Sequence, residues 1–524
     1  MDANSTNAVV AWLSRVEAYP HRPANVQHIE THISHVFLAG PLVFKLKKPA
    51  RFDFLDYSTL AQREQACRDE LRLNRRLAAS SYLQVLPVTR LDDLHFEFDG
   101  PGQIVDWVVQ MRRLPTEHAL DALIRRAEVT PEHIALLSQV LVRFYRSQEP
   151  LSLEPLAYSD RVRAHVAANA RELSAATHHL SAELVDRVHH FQLQTLTCHH
   201  ELFNRRVVEQ RLCEGHGDLR PEHICFADDG SVIIFDCIEF SEDLRRVDCL
   251  DELAFLAAEC DFLGAQWIGP QLRKAYEVGC DDSVTDRLWS FYKSYRAAVR
   301  AKIAALRAEQ LCDEFERQTA IGEAVRHLSL ADEYGRPWLA PLAIVVGGLS
   351  GTGKSTLARA IAERLGARLL RTDSLRQQMF GDGQTPPFQE NALYGQEARE
   401  SVYTRLIEQA AGDLQAGISV VLDGTFGLST AIQHVQTLTT RWGYRVAGIE
   451  CTCPSHVARA RIAYRLAKGN DPSQARPETH DLQQSQWQPW PPSLAQLRID
   501  TQEPVSLQLG QALRWICGNT KDSQ

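Results

Sequence analysis

Residues 29–38 and 42–46 are two runs rich in apolar, β-branched and aromatic residues joined at Ala39-Gly40-Pro41, a pattern that predicts two paired strands. Residues 1–20 carry the wider spacing of an amphipathic helix that ends before Pro23. A charge-rich helical pattern fills 58–79. Strand patterns follow at 85–90, 95–98 and 104–111, with a turn at Asp92-Asp93. From 130 to about 210 the spacing is helical throughout, and a long amphipathic stretch runs over 289–328. Beyond 335 the rhythm changes. The punctuation at 335–341 leads into a continuous apolar run at 342–346, short and apolar on both faces, as in a parallel strand. Helical patterns at 356–365, 397–415 and 457–466 then alternate with strand patterns at 368–373, 418–423, 446–450 and 497–500. This order predicts an α+β domain over 1–335 and an α/β domain with a doubly wound parallel sheet over 340–518.

Composition narrows the class. A chain of 524 residues with 44% hydrophobic and 23% charged residues has ample material for two large cores. A net charge of −9 argues against a general nucleic-acid or anionic-membrane partner. No run approaches the length of a membrane-spanning helix, and the N-terminus lacks the apolar core of a signal peptide. The 12 cysteines contain no C-x-x-C pair, the nearest approach being Cys451-Thr-Cys453, so the expectation is reduced thiols in a cytoplasmic protein.

The junction between the apolar run and the helix at 356–365 reads Gly348-Leu349-Ser350-Gly351-Thr352-Gly353-Lys354-Ser355, which fills every position of G-x-x-x-x-G-K-[ST]. Glycines there let backbone amides converge on phosphate oxygens, and the new helix adds its positive end. Gly348, Ser350, Gly351, Thr352, Gly353, Lys354, Ser355 and Thr356 are therefore the expected nucleotide contacts. Lys354 would reach the β/γ-phosphates and the Ser355 hydroxyl would hold Mg²⁺, which makes ATP and Mg²⁺ the expected ligands.

The rest of this half supplies partners. The strand pattern at 368–373 delivers Asp373 to the carboxyl edge of the sheet, where it can accept a hydroxyl proton, and Arg376 one turn later can grip an anionic substrate. Asp373 can equally be a helix N-cap. Asp423 closes an apolar strand, the position of a Mg²⁺-orienting carboxylate. Arg461 and Arg465 share a helical face and suit a lid over transition-state charge, or else a solvated basic face. The turn at 468–473 would let that lid swing. These residues resemble the small P-loop kinases, especially those like polynucleotide kinase, gluconate kinase and zeta-toxin-type kinases. The resemblance implies Asp373 as general base, Arg376 as substrate contact, and Arg461 with Arg465 as lid arginines.

The first half has its own constellation. His216-Gly217-Asp218 opens a tight loop, and a strand pattern at 231–235 ends in Asp236. One aspartate can accept a hydroxyl proton and the second can hold Mg²⁺, although a polar turn between a helix and a hairpin fits the same triplet. Upstream, Lys45 lies on a strand and Glu70 on the helix after it, where the two can pair. Residues 216–226 resemble the catalytic loop of the aminoglycoside phosphotransferase and protein-kinase-like superfamily. The resemblance implies Asp218 as base, Asp236 as metal ligand, Lys45 as phosphate-contacting lysine with Glu70 beside it, and 111–115 as the adenine hinge. His223 occupies the family's metal-binding Asn position, and only Gly40 marks the place of a Gly-rich loop. Asp248 and Asp251 resemble the acidic segment that braces the catalytic loop, and they also fit acids at a helix N-terminus.

Together the two halves look like the bacterial fusions called bifunctional aminoglycoside phosphotransferase/ATP-binding proteins. The expected activity is ATP-dependent transfer of a γ-phosphoryl group to a small-molecule hydroxyl, mainly by the C-terminal half. A nucleotide-gated regulatory ATPase and a nucleic-acid 5′-hydroxyl kinase are the alternatives.

Overall fold

The computed structural model describes residues 3–52, 55–92, 95–175, 180–380, 396–468 and 476–520. It divides into two compact units, Met1–Glu154 with Arg205–Ala297, and Pro155–Asn204 with Ala298–Gln524. A division between 335 and 340 follows the chain, and the units do not.

In the first unit, β1 (Val26–Glu30), β2 (Ser34–Ala39), β3 (Leu42–Lys47), β6 (Tyr82–Arg90), β7 (Phe96–Phe98) and β8 (Gln103–Arg112) form one antiparallel sheet, ordered β1-β2-β3-β8-β6-β7. β4 (Arg51–Phe52) and β5 (Leu55–Asp56) make a separate short pair. The strand expected over 29–38 is two strands. Thr31 closes a turn between them, its Oγ1 accepting the Ser34 amide at 3.0 Å. The N-terminal helix stops at Leu13, short of its expected end, and one 3₁₀ turn follows at Val16–Ala18.

β3 shows how the alternation is used. Phe44 and Leu46 pack into one core with Leu13, Tyr19 and Phe37. Lys45 and Lys47 alternate with them and reach carboxylates that include Glu70 of the helix Leu60–Ala78. A capping box of Thr59 and Gln62 starts that helix. Two small antiparallel pairs complete the frame: β9 (Leu212–Glu214) with β12 (Arg246–Asp248), and β10 (Ile224–Phe226) with β11 (Val232–Ile234).

The second unit holds a parallel sheet of β13 (Leu342–Gly347), β14 (Arg368–Arg371), β15 (Val420–Asp423), β16 (Arg445–Thr452) and β17 (Gln496–Asp500), ordered β14-β15-β13-β16-β17. Every residue of the central β13 is buried, as its unbroken apolar run requires. Helices cover both faces. Lys354–Leu365 and Val505–Thr520 contribute to one core, Gln396–Gln415 and Ser429–Thr440 to the other.

Helices from the first half of the chain belong to this second unit for stated reasons. His190, on the helix Ala182–Cys198, meets the Leu365 carbonyl through Nδ1 at 3.1 Å, while its Nε2 accepts the Ser419 amide at 3.3 Å. Arg187 pairs with Asp332 at 2.6 Å. Cys198 is disulfide-bonded to Cys517, which corrects the expectation that every thiol is reduced. Among the described residues no helix is long and apolar enough to cross a membrane.

Candidate functional site

The P-loop runs from the end of β13 into the helix Lys354–Leu365, and its glycines are required by contact and by conformation. Gly351 has φ +83°, and a Cβ there would lie 2.4 Å from the Ala458 carbonyl oxygen. Gly353 has φ +82° at the N-cap. The loop partly ties itself, with the Gly348 amide donating to Thr425 O at 3.1 Å and Thr352 Oγ1 donating to Leu349 O at 2.8 Å. The amides of Gly351, Gly353, Lys354 and Ser355 have no acceptor among the described residues. Thr356 already donates to Gly353 O at 3.1 Å. Lys354 forms no ion pair among the described residues.

Asp423 ends β15, in register with Val346 of β13 on one side and Arg371 of β14 on the other. Arg371 Nε donates to its Oδ2 at 3.1 Å, whereas Oδ1 is buried with no hydrogen-bond partner among the described residues. That orphaned oxygen suits a bound cation or its water. Asp373 sits in the first turn of the helix Thr372–Phe380 rather than at the strand end, and Arg376 Nη1 donates to it at 3.0 Å. The two residues expected at the acceptor are therefore joined to each other. Arg461 and Arg465 both lie half-buried on the helix Ser455–Lys468. Arg461 donates to the Thr501 carbonyl at 2.7 Å, and its Nη1 would lie 3.4 Å from a Cβ on Gly353. The swinging turn expected after Lys468 lies outside the described residues.

In the first unit the structure brings the sequence-predicted groups together. Lys45 Nζ lies 2.9 Å from Glu70 Oε1 and donates to Asp236 Oδ1 at 2.8 Å. Burial pushes the Asp236 carboxyl up, but Lys45 and then His223 outweigh it and hold the group well below the ordinary carboxylate range. Burial likewise opposes the Lys45 charge, and Asp236 with Glu70 more than restores it. Asp236 has φ +62°, an uncommon conformation for a residue with a side chain. His223 Nδ1 donates to the Asp218 carbonyl at 2.9 Å, and its Nε2 lies 3.6 Å from Asp236 Oδ2. No group of three or more metal-ligating side chains occurs among the described residues, so a metal here would rest on Asp236, His223 and the oxygens of its substrate.

The catalytic-type loop, residues 216–223, is held from below. His216 Nε2 donates to Phe235 O at 2.9 Å, and burial pushes its imidazole down. Glu252 Oε1 accepts the amides of His216 and Gly217 at 2.6 and 2.7 Å. Asp248 and Asp251 take the second of the two places expected of them, acids at a helix N-terminus: Asp248 caps the helix Cys249–Phe262 by accepting the Leu250 amide at 2.9 Å, and Asp251 lies in its first turn. Asp248 is bound by Arg206 at 2.7 Å and Asp251 by Arg296 at 2.7 Å. The sequence reading also passed over Glu239, which takes an ion pair from Lys47 and the Tyr57 hydroxyl at 2.9 Å. Lys47 further meets Glu70 at 2.5 Å, so one carboxylate serves two lysines. The period of two along β3 was the available signal for Lys47. At the other end of the sheet, Met111 and Arg112 close β8, and the Arg113 amide then donates to Pro41 O at 2.9 Å.

Residues 343–490 match a protein-family profile described as an AAA domain. Among solved structures, a choline/ethanolamine kinase family protein from Mesorhizobium loti covers 62% of this chain and 99% of its own at 15% identity, with a TM-score of 0.37. A gluconokinase from Sinorhizobium meliloti 1021 covers 35% of this chain and 96% of its own at 16% identity, with a TM-score of 0.28. The protein Rv2004c of Mycobacterium tuberculosis (strain ATCC 25618 / H37Rv) is 32% identical over 491 residues, 92% of this chain and 94% of that protein. Mb2027c of Mycobacterium bovis matches at the same values. The chain belongs to the family of these two mycobacterial proteins.

Proposed function

We propose that the chain is an ATP-dependent phosphotransferase whose P-loop unit moves the γ-phosphoryl group of ATP to a hydroxyl of a small molecule. One observation carries the reading. Four loop amides, those of Gly351, Gly353, Lys354 and Ser355, are left without acceptors at a helix N-terminus, beside a lysine with no carboxylate partner among the described residues. A polyphosphate supplies the several oxygens that such a concavity leaves unmet. Mg²⁺, when bound, supplies charge neutralisation on the phosphates, and Ser355 with the free Oδ1 of Asp423 would hold it. Asp373 would accept the acceptor's hydroxyl proton once Arg376 turns from it to the acceptor. Arg461 and Arg465, on one helix face near Gly353, would stabilise charge on the phosphoryl group in flight.

The first unit supports a second phosphotransfer centre on its own observation, the Lys45–Glu70 pair with Asp236 on the same ammonium and Asp218 on a loop fixed by Glu252. In that centre Asp218 would take the acceptor proton, and Asp236 with His223 would hold Mg²⁺.

The test is ADP release from ATP and Mg²⁺ across sugars, sugar acids, aminoglycosides, nucleosides and 5′-hydroxyl oligonucleotides, with Lys354→Ala and Asp218→Ala beside the native chain. A small-molecule acceptor that accelerates turnover lost in Lys354→Ala supports the P-loop reading. Loss in Asp218→Ala alone moves the chemistry to the first unit. Turnover indifferent to every acceptor overturns both in favour of a nucleotide-gated regulator, and stimulation only by oligonucleotides overturns the small-molecule acceptor.

A further inference from the structure

The P-loop is gripped from outside by a helix that no expectation assigned to it. On the helix Pro477–Gln486, His480 and Gln483 stand three residues apart and so share a face. Both reach the same loop residue. Gln483 Oε1 accepts the Ser350 amide at 2.8 Å, and His480 Nδ1 lies 2.8 Å from the Ser350 carbonyl oxygen. A carbonyl only accepts, so Nδ1 carries the proton and donates. His480 is 1% exposed, which places this bond out of reach of competing water.

Peptide geometry turns that grip into an orientation. The Ser350 carbonyl and the Gly351 amide belong to one planar trans unit, so they point in opposite directions. Whatever holds the carbonyl outward aims the Gly351 N–H the other way, and that amide is one of the four without an acceptor among the described residues. The neighbouring helix Ser455–Lys468 closes the same side of the loop. Its Ala458 carbonyl lies where a Cβ on Gly351 would come within 2.4 Å. The two helices are tied by Arg459 Nη2 donating to Asp481 at 2.7 Å and by Ser455 Oγ donating to Gln484 at 3.3 Å. Glycine gives the loop conformational freedom, which must be removed before phosphates bind at no ordering cost.

We infer that His480 and Gln483 are positioning residues that set the first half of the phosphate cradle by holding both backbone groups of Ser350. This rests on the reading of the P-loop as the nucleotide site. The two side chains touch the loop and act on nucleotide only through it. They govern nucleotide affinity and leave recognition of the acceptor alone.

The experiment is titration of the full chain with a fluorescent ribose-labelled ADP in MgCl₂, alongside thermal melts. Gln483→Ala, a half-exposed position, and His480→Ala are each expected to raise Kd about tenfold, the effect of one hydrogen bond. His480→Asn, whose amide can donate to the same carbonyl, is expected to recover most of that loss. The acceptor KM should stay unchanged in all three. Native-like Kd in both alanine variants, with Lys354→Ala alone unable to bind, would overturn the inference while leaving the P-loop reading intact. A lowered melting temperature with unchanged Kd below the transition would also overturn it, since that is a packing role only. Absence of binding in the native chain would remove the P-loop reading and this inference together.

Discussion

Arg371 Nε donates to one oxygen of Asp423 at 3.1 Å and leaves the other oxygen buried without a partner among the described residues. The guanidinium fixes the plane of the carboxylate, so the second oxygen faces one direction only.

Asp423→Asn preserves shape and removes the charge. It is expected to lower acceptor-dependent turnover by about 100-fold or more and to raise the Mg²⁺ concentration needed for half-maximal rate. Steady-state rates across a Mg²⁺ series check this. An unchanged Mg²⁺ requirement would assign the orphaned oxygen a structural role.

The two lysines of β3 are expected to separate in their effects. Lys47 is fully buried between Glu70 and Glu239, and Glu70 keeps Lys45, so Lys47→Met strands the buried Glu239 carboxylate and should cost about 3–5 kcal/mol in chemical denaturation. Lys45, beside the half-exposed Asp236, should leave stability closer to native when changed to Met and instead abolish turnover that depends on Asp218. Equal destabilisation by both changes would argue that Lys45 is also structural.

Stability should fall in mild acid for a reason located on one helix. Burial pushes the imidazoles of His189 and His190 down to about 4. The unfolded chain takes up those protons near the ordinary value of about 6.5, so between these limits the unfolded state holds more protons. Denaturation midpoints should be flat above pH 6.5 on this account and drop progressively as pH falls toward 4. His189→Leu should flatten the drop, and an identical pH profile in the variant would refute the assignment.

Thiol counting checks the pairing of Cys198 with Cys517. Of the 12 cysteines, 10 are free. Ellman titration of the denatured, unreduced chain should give 10 thiols, rising to 12 after reduction. The melting temperature should fall on reduction, because the bond closes a long loop of chain.

What could be read from the sequence, and what could not, divides by physical range. The P-loop was legible in full because its amides, lysine and hydroxyl are neighbours along the chain, and glycine marks each close approach. Lys45, Glu70, Asp218 and Asp236 were legible because a strand, a helix, a loop and the end of a second strand pattern each carry one of them in a recognisable order. Glu252, Glu239 and the pair His480 with Gln483 were not. Each meets its partner through packing of distant segments, and a carboxylate or an amide on a helix face looks the same whether it holds a loop or faces water. For that reason the sequence left two places open for Asp248 and Asp251, under the loop or at a helix N-terminus, and the second is the one found. All three acids sit at one helix N-terminus, and only tertiary contacts show that Glu252 is the one under the loop. The period-two rule did mark Lys47 with Lys45, yet periodicity alone does not say that both lysines find the same glutamate.

The chain passes between its two compact units three times, near residues 154, 204 and 297. A fusion joined by one linker can be undone by one cut, whether in a gene or by a protease, and each piece keeps its core. Here a cut at 335–340 would strip the P-loop sheet of the helices that carry His190, Arg187 and Cys198. Truncation that removes the first half of the chain would therefore take part of the P-loop unit with it.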